Sequence, residues 1–224
     1  MMAALLLLAG VAAAVCIAIA MLDRWRRRVL RRCLADTCAL LDEREIRYWA
    51  DFGTLLGLIR EGDLILGDKD ADLCVLADEL PRIAELRTPF AARRYRLLLG
   101  AGALGRLARV EDLRSPFFVD IYPYDTDGET LRSRVRPVHE DVPRRLVSDL
   151  SRLAWRGMAI AIPKQARLLL VYRYGGRYLV PCRQDKGRSA PYSLPQALWE
   201  ELHSLLVVLG WLLAVPFKAL RKDR

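Results

Sequence analysis

The chain has 224 residues, of which 53% are hydrophobic, and its formal net charge is +9. This composition excludes a mainly disordered chain and is enough for one ordinary domain with an additional segment. The five cysteines contain no Cys-x-x-Cys pair and no zinc-ligand spacing, so neither a structural zinc site nor a disulfide framework is expected.

The first segment, residues 1–22, has no charged side chain and is long enough to cross the ~30 Å hydrocarbon core of a bilayer. It lacks the basic start and the cleavage site of a signal peptide, so it predicts a transmembrane helix. Residues 23–44 predict a basic amphipathic helix at the membrane surface. Its arginines favour lipid headgroups over nucleic acid as the partner, and their charge bias predicts that the domain after them is cytosolic. They are Arg24, Arg26, Arg27, Arg28, Arg31 and Arg32.

Residues 45–200 predict one α+β domain, because period-two apolar segments alternate with short helical ones. The predicted elements are a strand over Ile46–Phe52, a helix over Leu55–Arg60, extended segments over Leu64–Leu66 and Asp70–Leu76, a helix over Asp78–Leu86, and strands over Tyr95–Leu99, Leu104–Val110 and Phe117–Tyr122.

The remainder of the chain alternates between polar and apolar segments. Residues 126–142 predict an exposed loop or flap, and Pro163 and Gly175 mark the start and the end of a helix. Residues 181–193 predict a basic loop. Residues 201–224 predict an apolar C-terminal helix, either at the membrane interface or packed on the core.

Three aspartates, Asp68, Asp70 and Asp72, alternate at the start of an apolar strand. A calcium-binding EF-hand loop has glycine at its sixth position, where this chain has Leu73. A dinucleotide site at the Gly-x-Gly-x-x-Gly pattern over residues 100–105 requires a longer crossover helix than the sequence provides. A loop of solvated aspartates without a chemical role is the third interpretation.

The fourth interpretation follows from the period of a strand. Because alternate residues face the same side, Asp70 and Asp72 project together and can share a divalent cation. Asp120, alone in an apolar strand, is the expected third acid, and Gly53-Thr54 at a helix N-terminus suits a phosphate. This order of motifs is that of the nucleotidyltransferase fold.

The segment FGTLLGLIREGDLILGDKDADLCV, residues 52–75, resembles the LicD-type phosphotransferases, which include fukutin and fukutin-related protein. The later segments FVDIYPY and YRYGGRYLVP fit the family's order, so the resemblance covers roughly residues 45–185. It implies a nucleotidyltransferase-like mixed β-sheet flanked by helices. It also implies metal-dependent transfer of a phosphocholine or ribitol-phosphate group from a CDP-linked donor to a hydroxyl of a glycan or glycolipid.

By this resemblance Asp70 and Asp72 hold Mg²⁺ or Mn²⁺, and Asp120 either completes the ligand set or takes the proton of the acceptor. Asp68 is left open as a further ligand. The donor phosphates would contact Gly53 and Thr54, with Arg60 as a possible cationic clamp. Four later cationic residues could line the groove of the anionic donor, or be solvated surface charges: Lys164, Arg173, Arg183 and Lys186.

Two other functions fit the same residues. One is a nucleotidyltransferase that moves an NMP group, since the same metal site serves that reaction, and the other is a membrane-tethered binding protein without activity. The animal members of the family work in the Golgi lumen, so a lumenal domain stands as the alternative to a cytosolic one.

Overall fold

The computed structural model describes residues 2–102, 105–136, 140–180, 182–185, 188–191 and 206. Within these ranges the helices are α1 (Met2–Glu43), α2 (Phe52–Arg60), α3 (Leu80–Ala84), α4 (Arg87–Ala92) and α5 (Ala166–Tyr174). The strands are β1 (Tyr48–Ala50), β2 (Asp70–Leu76), β3 (Tyr95–Ala101), β4 (Leu107–Asp112), β5 (Phe118–Asp127), β6 (Thr130–Ser133), β7 (Val142–Pro143), β8 (Leu150–Trp155), β9 (Met158–Pro163), β10 (Cys182–Asp185) and β11 (Arg188–Pro191).

A mixed sheet of seven strands forms the centre of the domain. Its strand order is β1-β2-β5-β4-β3, with β6 paired to β5 and β7 paired to β6. The β2–β5 pair is parallel, and the neighbouring pairs in the sheet are antiparallel. Two further hairpins, β8–β9 and β10–β11, lie outside this sheet. The structure thus confirms the predicted α+β fold with a mixed sheet and flanking helices.

Strands β2 and β5 have one apolar face and one face that carries the aspartates. Ala71, Leu73 and Val75 of β2 and Val119 and Ile121 of β5 are fully buried. Since side chains alternate along a strand, the residues between them project from the opposite face. The apolar residues therefore anchor both strands in the core and fix the direction in which the aspartates point.

The C-terminal part of α1 packs on the apolar face of the sheet. The predicted apolar stripe is buried, but it covers strands β4 and β5, whereas the sequence predicted a helix at a membrane surface. The Trp25 ring lies edge-on to Phe117, with 5.4 Å between centroids. The stripe consists of Val29, Leu30, Cys33, Leu34, Thr37, Leu40 and Leu41.

Residues 2–22, predicted as a separate transmembrane helix, are continuous with the rest of α1. In the described part of the chain, no helix combines the length and the apolar character that crossing a membrane requires, so the predicted transmembrane helix is not supported. Four arginines predicted to face lipid headgroups have carboxylate partners within the protein. Arg26 and Arg27 pair with Asp23, Arg31 pairs with Asp63, and Arg32 pairs with Asp112.

The predicted loop over residues 126–142 is wrong in its first part. Strand β5 continues to Asp127, the chain turns at Gly128 with a φ of +56°, and β6 returns alongside β5. The polar residues that indicated a loop are partners across the hairpin. Arg132 pairs with Asp127 at 3.0 Å and Arg134 with Asp125 at 2.6 Å, and opposite charges across two strands stabilise their pairing.

Other predicted elements differ from the structure at their boundaries. Residues 64–66 lie in an irregular segment between α2 and β2, with a bend at residue 64 and a turn that begins at residue 66. Pro163 ends β9, and α5 begins three residues later, while Gly175 follows α5 with a φ of +79° as its position predicted. The predicted basic loop over 181–193 contains the β10–β11 hairpin. The predicted C-terminal helix over 201–224 lies outside the described residues, except for Leu206.

Candidate active site

The structure brings the three predicted aspartates together on one face of the sheet. Asp72 of β2 is the direct Cα partner of Asp120 in β5, and Asp70 pairs with Phe118 two positions earlier. Neighbouring strands lie about 4.8 Å apart, so the carboxylates of Asp70, Asp72 and Asp120 project into a common space. Asp120 is buried, and Asp70 and Asp72 are partly exposed.

The first turn of α2 lies directly against these aspartates. A Cβ atom added to Gly53 would lie 3.2 Å from a carboxylate oxygen of Asp68 and 3.8 Å from one of Asp72. The Thr54 hydroxyl accepts a hydrogen bond from the backbone N–H of Asp72 at 2.7 Å. Gly53 and Thr54 therefore hold the helix N-terminus against β2, and Asp68 is part of the same acidic cluster.

Like charges dominate the electrostatics of this cluster. Burial, with the charge of Asp70, raises the pKa of Asp68 to about 7. Burial and the charge of Asp120 raise the pKa of Asp70. Burial and the charges of four carboxylates raise the pKa of Asp72 well above its usual range, and these are Asp70, Asp68, Asp120 and Asp51. Each raised pKa indicates that burial and neighbouring negative charges disfavour the ionised form of the carboxylate.

Two predicted cationic groups of the donor site have different positions. Arg60, at the end of α2, pairs with Glu61 at 2.6 Å, and its positive charge lowers the pKa of Asp68 against the effect of burial. Lys164 pairs with Asp149 at 3.0 Å on the surface, where both side chains are about two-thirds exposed. Arg60 is thus near the aspartates, whereas the contacts of Lys164 are with a different part of the domain.

One arginine of the site escaped the sequence analysis. Arg109 of β4 is the Cα partner of Asp120, and its guanidinium donates to both carboxylate oxygens at 2.6 and 2.9 Å. It also lies 3.7 Å above the Phe118 ring. This pair depends on the register in which β4 pairs with β5, and the predicted bounds of the two strands do not fix that register.

A buried ion pair below the cluster was missed as well. Asp51 caps α2 by accepting a hydrogen bond from the Phe52 N–H at 2.7 Å, and its other oxygen accepts from Arg173 of α5 at 2.7 Å. Arg173 also donates to the hydroxyl of Tyr124 and to the carbonyl of Glu140. Aspartate before Gly-Thr is a recognisable N-cap signal, but its partner lies 122 residues away.

The aspartates are close together without forming a complete metal site. Across the described ranges, no group of three or more His, Cys, Asp or Glu side chains is arranged to hold a metal ion. Asp120 accepts one hydrogen bond from Arg109 on each of its two oxygens. The chemistry of the cluster still suits a hard cation, because its donors are all oxygens and its like charges raise the pKa of Asp70 and Asp72. Asp70 and Asp72 are the residues that would hold such an ion.

The comparisons with known proteins identify the family of the chain. A family model described as "LicD/FKTN/FKRP, nucleotidyltransferase domain" matches residues 45–165, which are 121 of the 224 residues. The domain is therefore of the nucleotidyltransferase class. The chain belongs to the LicD/FKTN/FKRP family, as the resemblance of its first motif block predicted.

Two curated relatives carry the same name. The human protein "Ribitol 5-phosphate transferase FKRP" is 26% identical over 164 residues, which are 68% of this chain and 33% of the relative. Its mouse counterpart is 26% identical over 163 residues with the same coverage. The chain thus aligns with about one third of the length of these relatives.

Solved structures give only distant likenesses. The lincosamide antibiotic adenylyltransferase LnuA aligns with a TM-score of 0.43 and 13% identity, covering 79% of this chain and 96% of that one. The antibiotic-resistance factor ANT(2'')-Ia aligns with a TM-score of 0.41 and 14% identity, covering 90% of this chain and 97% of that one. At TM-scores below 0.5 these likenesses decide nothing about the chemistry of the site.

Proposed function

We propose that this protein is a metal-dependent phosphotransferase that moves a substituted phosphate from a CDP-linked donor to a hydroxyl of a glycan or glycolipid. The transferred group would be of the phosphocholine or ribitol-phosphate type. Membership of the LicD/FKTN/FKRP family and the ribitol 5-phosphate transferase name of the two relatives support this reaction class. The observation that carries the proposal is the register of β2 and β5, which places Asp70 and Asp72 beside Asp120.

In this proposal each residue has a chemical task. Asp70 and Asp72 would hold a divalent cation, Mg²⁺ or Mn²⁺, which when bound would neutralise charge on the donor phosphates and polarise the phosphoryl group. Asp120 either joins them as a ligand or accepts the proton of the acceptor hydroxyl. Gly53 and Thr54 would contact the donor phosphates from the N-terminus of α2. Gly53 allows the Asp68 carboxylate to approach this terminus, and Thr54 fixes β2 relative to α2 through its bond to the Asp72 N–H.

The test measures CMP release from a panel of CDP-linked donors, including CDP-ribitol and CDP-choline, by the full chain. We expect release from at least one donor, loss of release in excess EDTA, and recovery with Mg²⁺ or Mn²⁺. Transfer of a labelled nucleotide to the acceptor, without CMP release, would instead identify an NMP transferase. A lack of CMP release with every donor would contradict the proposal.

Substitution at the metal pair provides the residue-level test. Asp70→Asn retains the size of the side chain and the apolar face of β2, but removes one charged ligand, so turnover should fall by about 100-fold or more while the fold is retained. Asp78→Asn is the matched control, since Asp78 is an exposed acid just after β2. Equal CMP release by the two variants would show that Asp70 is not part of the active site.

A further inference from the structure

Two tyrosines beside the acidic cluster have hydroxyls that lack a hydrogen-bond partner in the part of the chain that the structure describes. Tyr122 follows Asp120 by two residues on the same face of β5, and the centre of its ring lies 4.8 Å from that of Phe52, the first residue of α2. Tyr174 is the last residue of α5, a helix that contacts α2. One phenol thus belongs to the sheet and the other to a helix next to the site.

The electrostatics of the two phenols place them near the same carboxylate. Burial raises the pKa of both, and the next largest causes are negative charges, those of Asp72 and Asp120 for Tyr122 and those of Asp51 and Asp72 for Tyr174. Asp72 is therefore a neighbour of both hydroxyls, although neither donates a hydrogen bond to it. Both side chains are only partly buried, and neither hydroxyl is one of the buried polar atoms without a partner, so both are open to solvent.

Hydrogen-bond donors that face an excess of acceptors favour one class of ligand. A phenol donates a hydrogen bond, whereas an ionised carboxylate only accepts. A ligand hydroxyl accepts from the phenol and donates to the carboxylate, so it satisfies both groups. An anionic group could also accept from the phenols, but the neighbouring carboxylates would repel it. The space between the phenols and the aspartates thus suits a neutral group with several hydroxyls.

Resting on the proposed function, we propose that Tyr122 and Tyr174 are substrate-binding residues that donate hydrogen bonds to the hydroxyls of a polyol, the sugar or alditol part of a substrate. Asp120, two residues before Tyr122, accepts a hydrogen bond from one of these hydroxyls. In the proposed reaction a polyol can come from two sources, which are an alditol carried by the donor and the glycan of the acceptor.

The test removes single hydroxyls and keeps the rings. Tyr122→Phe and Tyr174→Phe are compared with the wild type as full chains. Saturation-transfer NMR with a series of ribitol concentrations measures the affinity for a free polyol, without donor. Thermal unfolding of the same samples measures stability, which a purely structural hydroxyl would change.

Two other tyrosines provide matched controls. Tyr172→Phe is the neutral control, since Tyr172 is 52% exposed on α5. Tyr124→Phe is the structural control, because the Tyr124 hydroxyl donates to the carbonyl of Glu140 at 3.0 Å and accepts from Arg173 at 3.1 Å. Removing that hydroxyl leaves two buried partners unsatisfied and should lower the unfolding temperature.

We expect ligand binding and stability to respond separately. Tyr122→Phe and Tyr174→Phe should each weaken the affinity for ribitol by about fivefold or more, because a hydrogen bond to the ligand is lost. Their unfolding temperatures should not fall, because within the described residues these hydroxyls have no partner to lose. Tyr172→Phe should change neither quantity. A damaged fold would lower the unfolding temperature as well and cannot imitate this pattern.

CMP release then identifies the substrate that carries the polyol. If the donor carries it, both variants should raise the KM for CDP-ribitol by about fivefold and leave the KM for CDP-choline unchanged, since the choline headgroup has no O–H or N–H group. If the acceptor carries it, the KM for the acceptor should rise and that for either donor should not. Equal increases for the two donors would show that the phenols bind the diphosphate and would overturn the inference.

The binding arm decides independently of turnover. A wild type that does not bind ribitol, or variants that bind it as well as the wild type does, would overturn the inference even if CMP is released, and would leave the proposed function standing. A fall in the unfolding temperature of Tyr122→Phe and Tyr174→Phe like that of Tyr124→Phe would assign their hydroxyls a structural role instead. Ribitol binding that depends on both phenols, in a protein that releases no CMP from any donor, would contradict the proposed function and not the polyol site.

Discussion

Asp68 lies beside Asp70 and Asp72, and burial together with the charge of Asp70 raises its pKa from 3.8 to about 7. A carboxyl whose pKa is higher in the folded than in the unfolded chain binds its proton more tightly when folded, so its ionisation destabilises the fold. This destabilisation is absent below pH 4, grows between pH 4 and pH 7, and is complete above pH 7. The acidic cluster therefore lowers stability in the range where the protein would work.

Replacing Asp68 tests directly whether its ionisation destabilises the fold. Asp68→Asn replaces the carboxylate with a neutral amide of nearly the same size and shape, so it should raise the free energy of unfolding. The gain should be larger at pH 8 than at pH 5 by on the order of 2 kcal/mol. Urea unfolding in EDTA at both pH values measures the gain, and Asp78→Asn serves as the exposed control. An equal gain at the two pH values would show that folding does not raise the pKa of Asp68.

The residues of the site divide into those that local sequence could predict and those it could not. Asp70, Asp72 and Asp120 follow from period-two alternation, because an isolated acid in an apolar strand has to face away from the core. The ion pairs of Arg109 and Arg173 do not, because the first depends on the register between two consecutive strands and the second joins residues 122 positions apart. Arginines are numerous in this chain, and composition cannot show which of them are buried against an acid.

Helix α2 shows why the first motif block contains a second glycine. A Cβ atom on Gly57 would lie 2.5 Å from the carbonyl oxygen of Asp63 and 2.9 Å from the backbone nitrogen of Ile65. The segment that leads to Asp68 therefore crosses α2 at Gly57, in backbone contact with it. Only glycine permits this approach, and the segment could not be recognised from sequence, which predicted an extended conformation over 64–66.

The close approach at Gly57 predicts a large effect of a single methyl group. Gly57→Ala should lower the free energy of unfolding by about 2–3 kcal/mol, because backbone atoms have to move to admit the Cβ. Gly176→Ala is the matched control, since nothing lies within 4 Å of a Cβ at that position, and its effect should stay within about 0.5 kcal/mol. Urea denaturation of both variants provides the comparison. Similar stabilities would show that the segment can move away from α2 without cost.

The ion pair of Asp51 and Arg173 connects α2 to α5. Their side chains are 0% and 6% exposed, and the Arg173 guanidinium also lies 4.4 Å above the Phe52 ring. Phe52 has a φ of +49°, an unusual conformation for a side chain of this size, at the residue that precedes Gly53. The pair therefore fixes the turn that presents Gly53 and Thr54 to the acidic cluster.

Breaking this pair should leave a buried charge without its partner. Arg173→Met should lower the free energy of unfolding by about 3–5 kcal/mol, since the buried Asp51 carboxylate would lose its cationic partner. The double variant Arg173→Met/Asp51→Asn should recover part of this loss, because the uncompensated charge is then gone. Thermal and urea unfolding of the two variants test the prediction. A double variant as unstable as the single one would indicate that packing on Phe52, rather than charge, holds α5 in place.

The sequence predicted strand β2 correctly but not hairpin β5–β6, and the difference has a physical reason. Strand β2 was predicted with its observed bounds, Asp70–Leu76, because it alternates apolar and acidic residues between clear turn signals. Hairpin β5–β6 was missed because its residues are charged on the solvent side and pair with one another. Arg132 with Asp127 and Arg134 with Asp125 are stabilising cross-strand pairs that have the composition of a loop.

At the scale of the whole molecule, one helix covers one face of the sheet and the acidic site occupies the other. Leu30 and Leu34 of α1 are fully buried, and the Cys33 thiol lies 3.8 Å from the carbonyl oxygen of Val110 in β4. Val110 alternates with Arg109, which projects to the acidic face. Helix α1 therefore supports, from behind, the strands that position the proposed active site.

This arrangement predicts that α1 is an integral part of the domain, which starts well before residue 45, where the family match begins. Leu34→Ala should lower the free energy of unfolding by about 3 kcal/mol, because it leaves a cavity between α1 and the sheet. Ile17→Ala, at a 60% exposed position of the same helix, should change it by less than about 0.5 kcal/mol. Urea unfolding followed by tryptophan fluorescence measures both, since Trp25 of α1 packs on Phe117 just before β5. If Leu34→Ala were as stable as Ile17→Ala, the catalytic domain would fold independently of α1, and its two faces would not be coupled through β4 and β5.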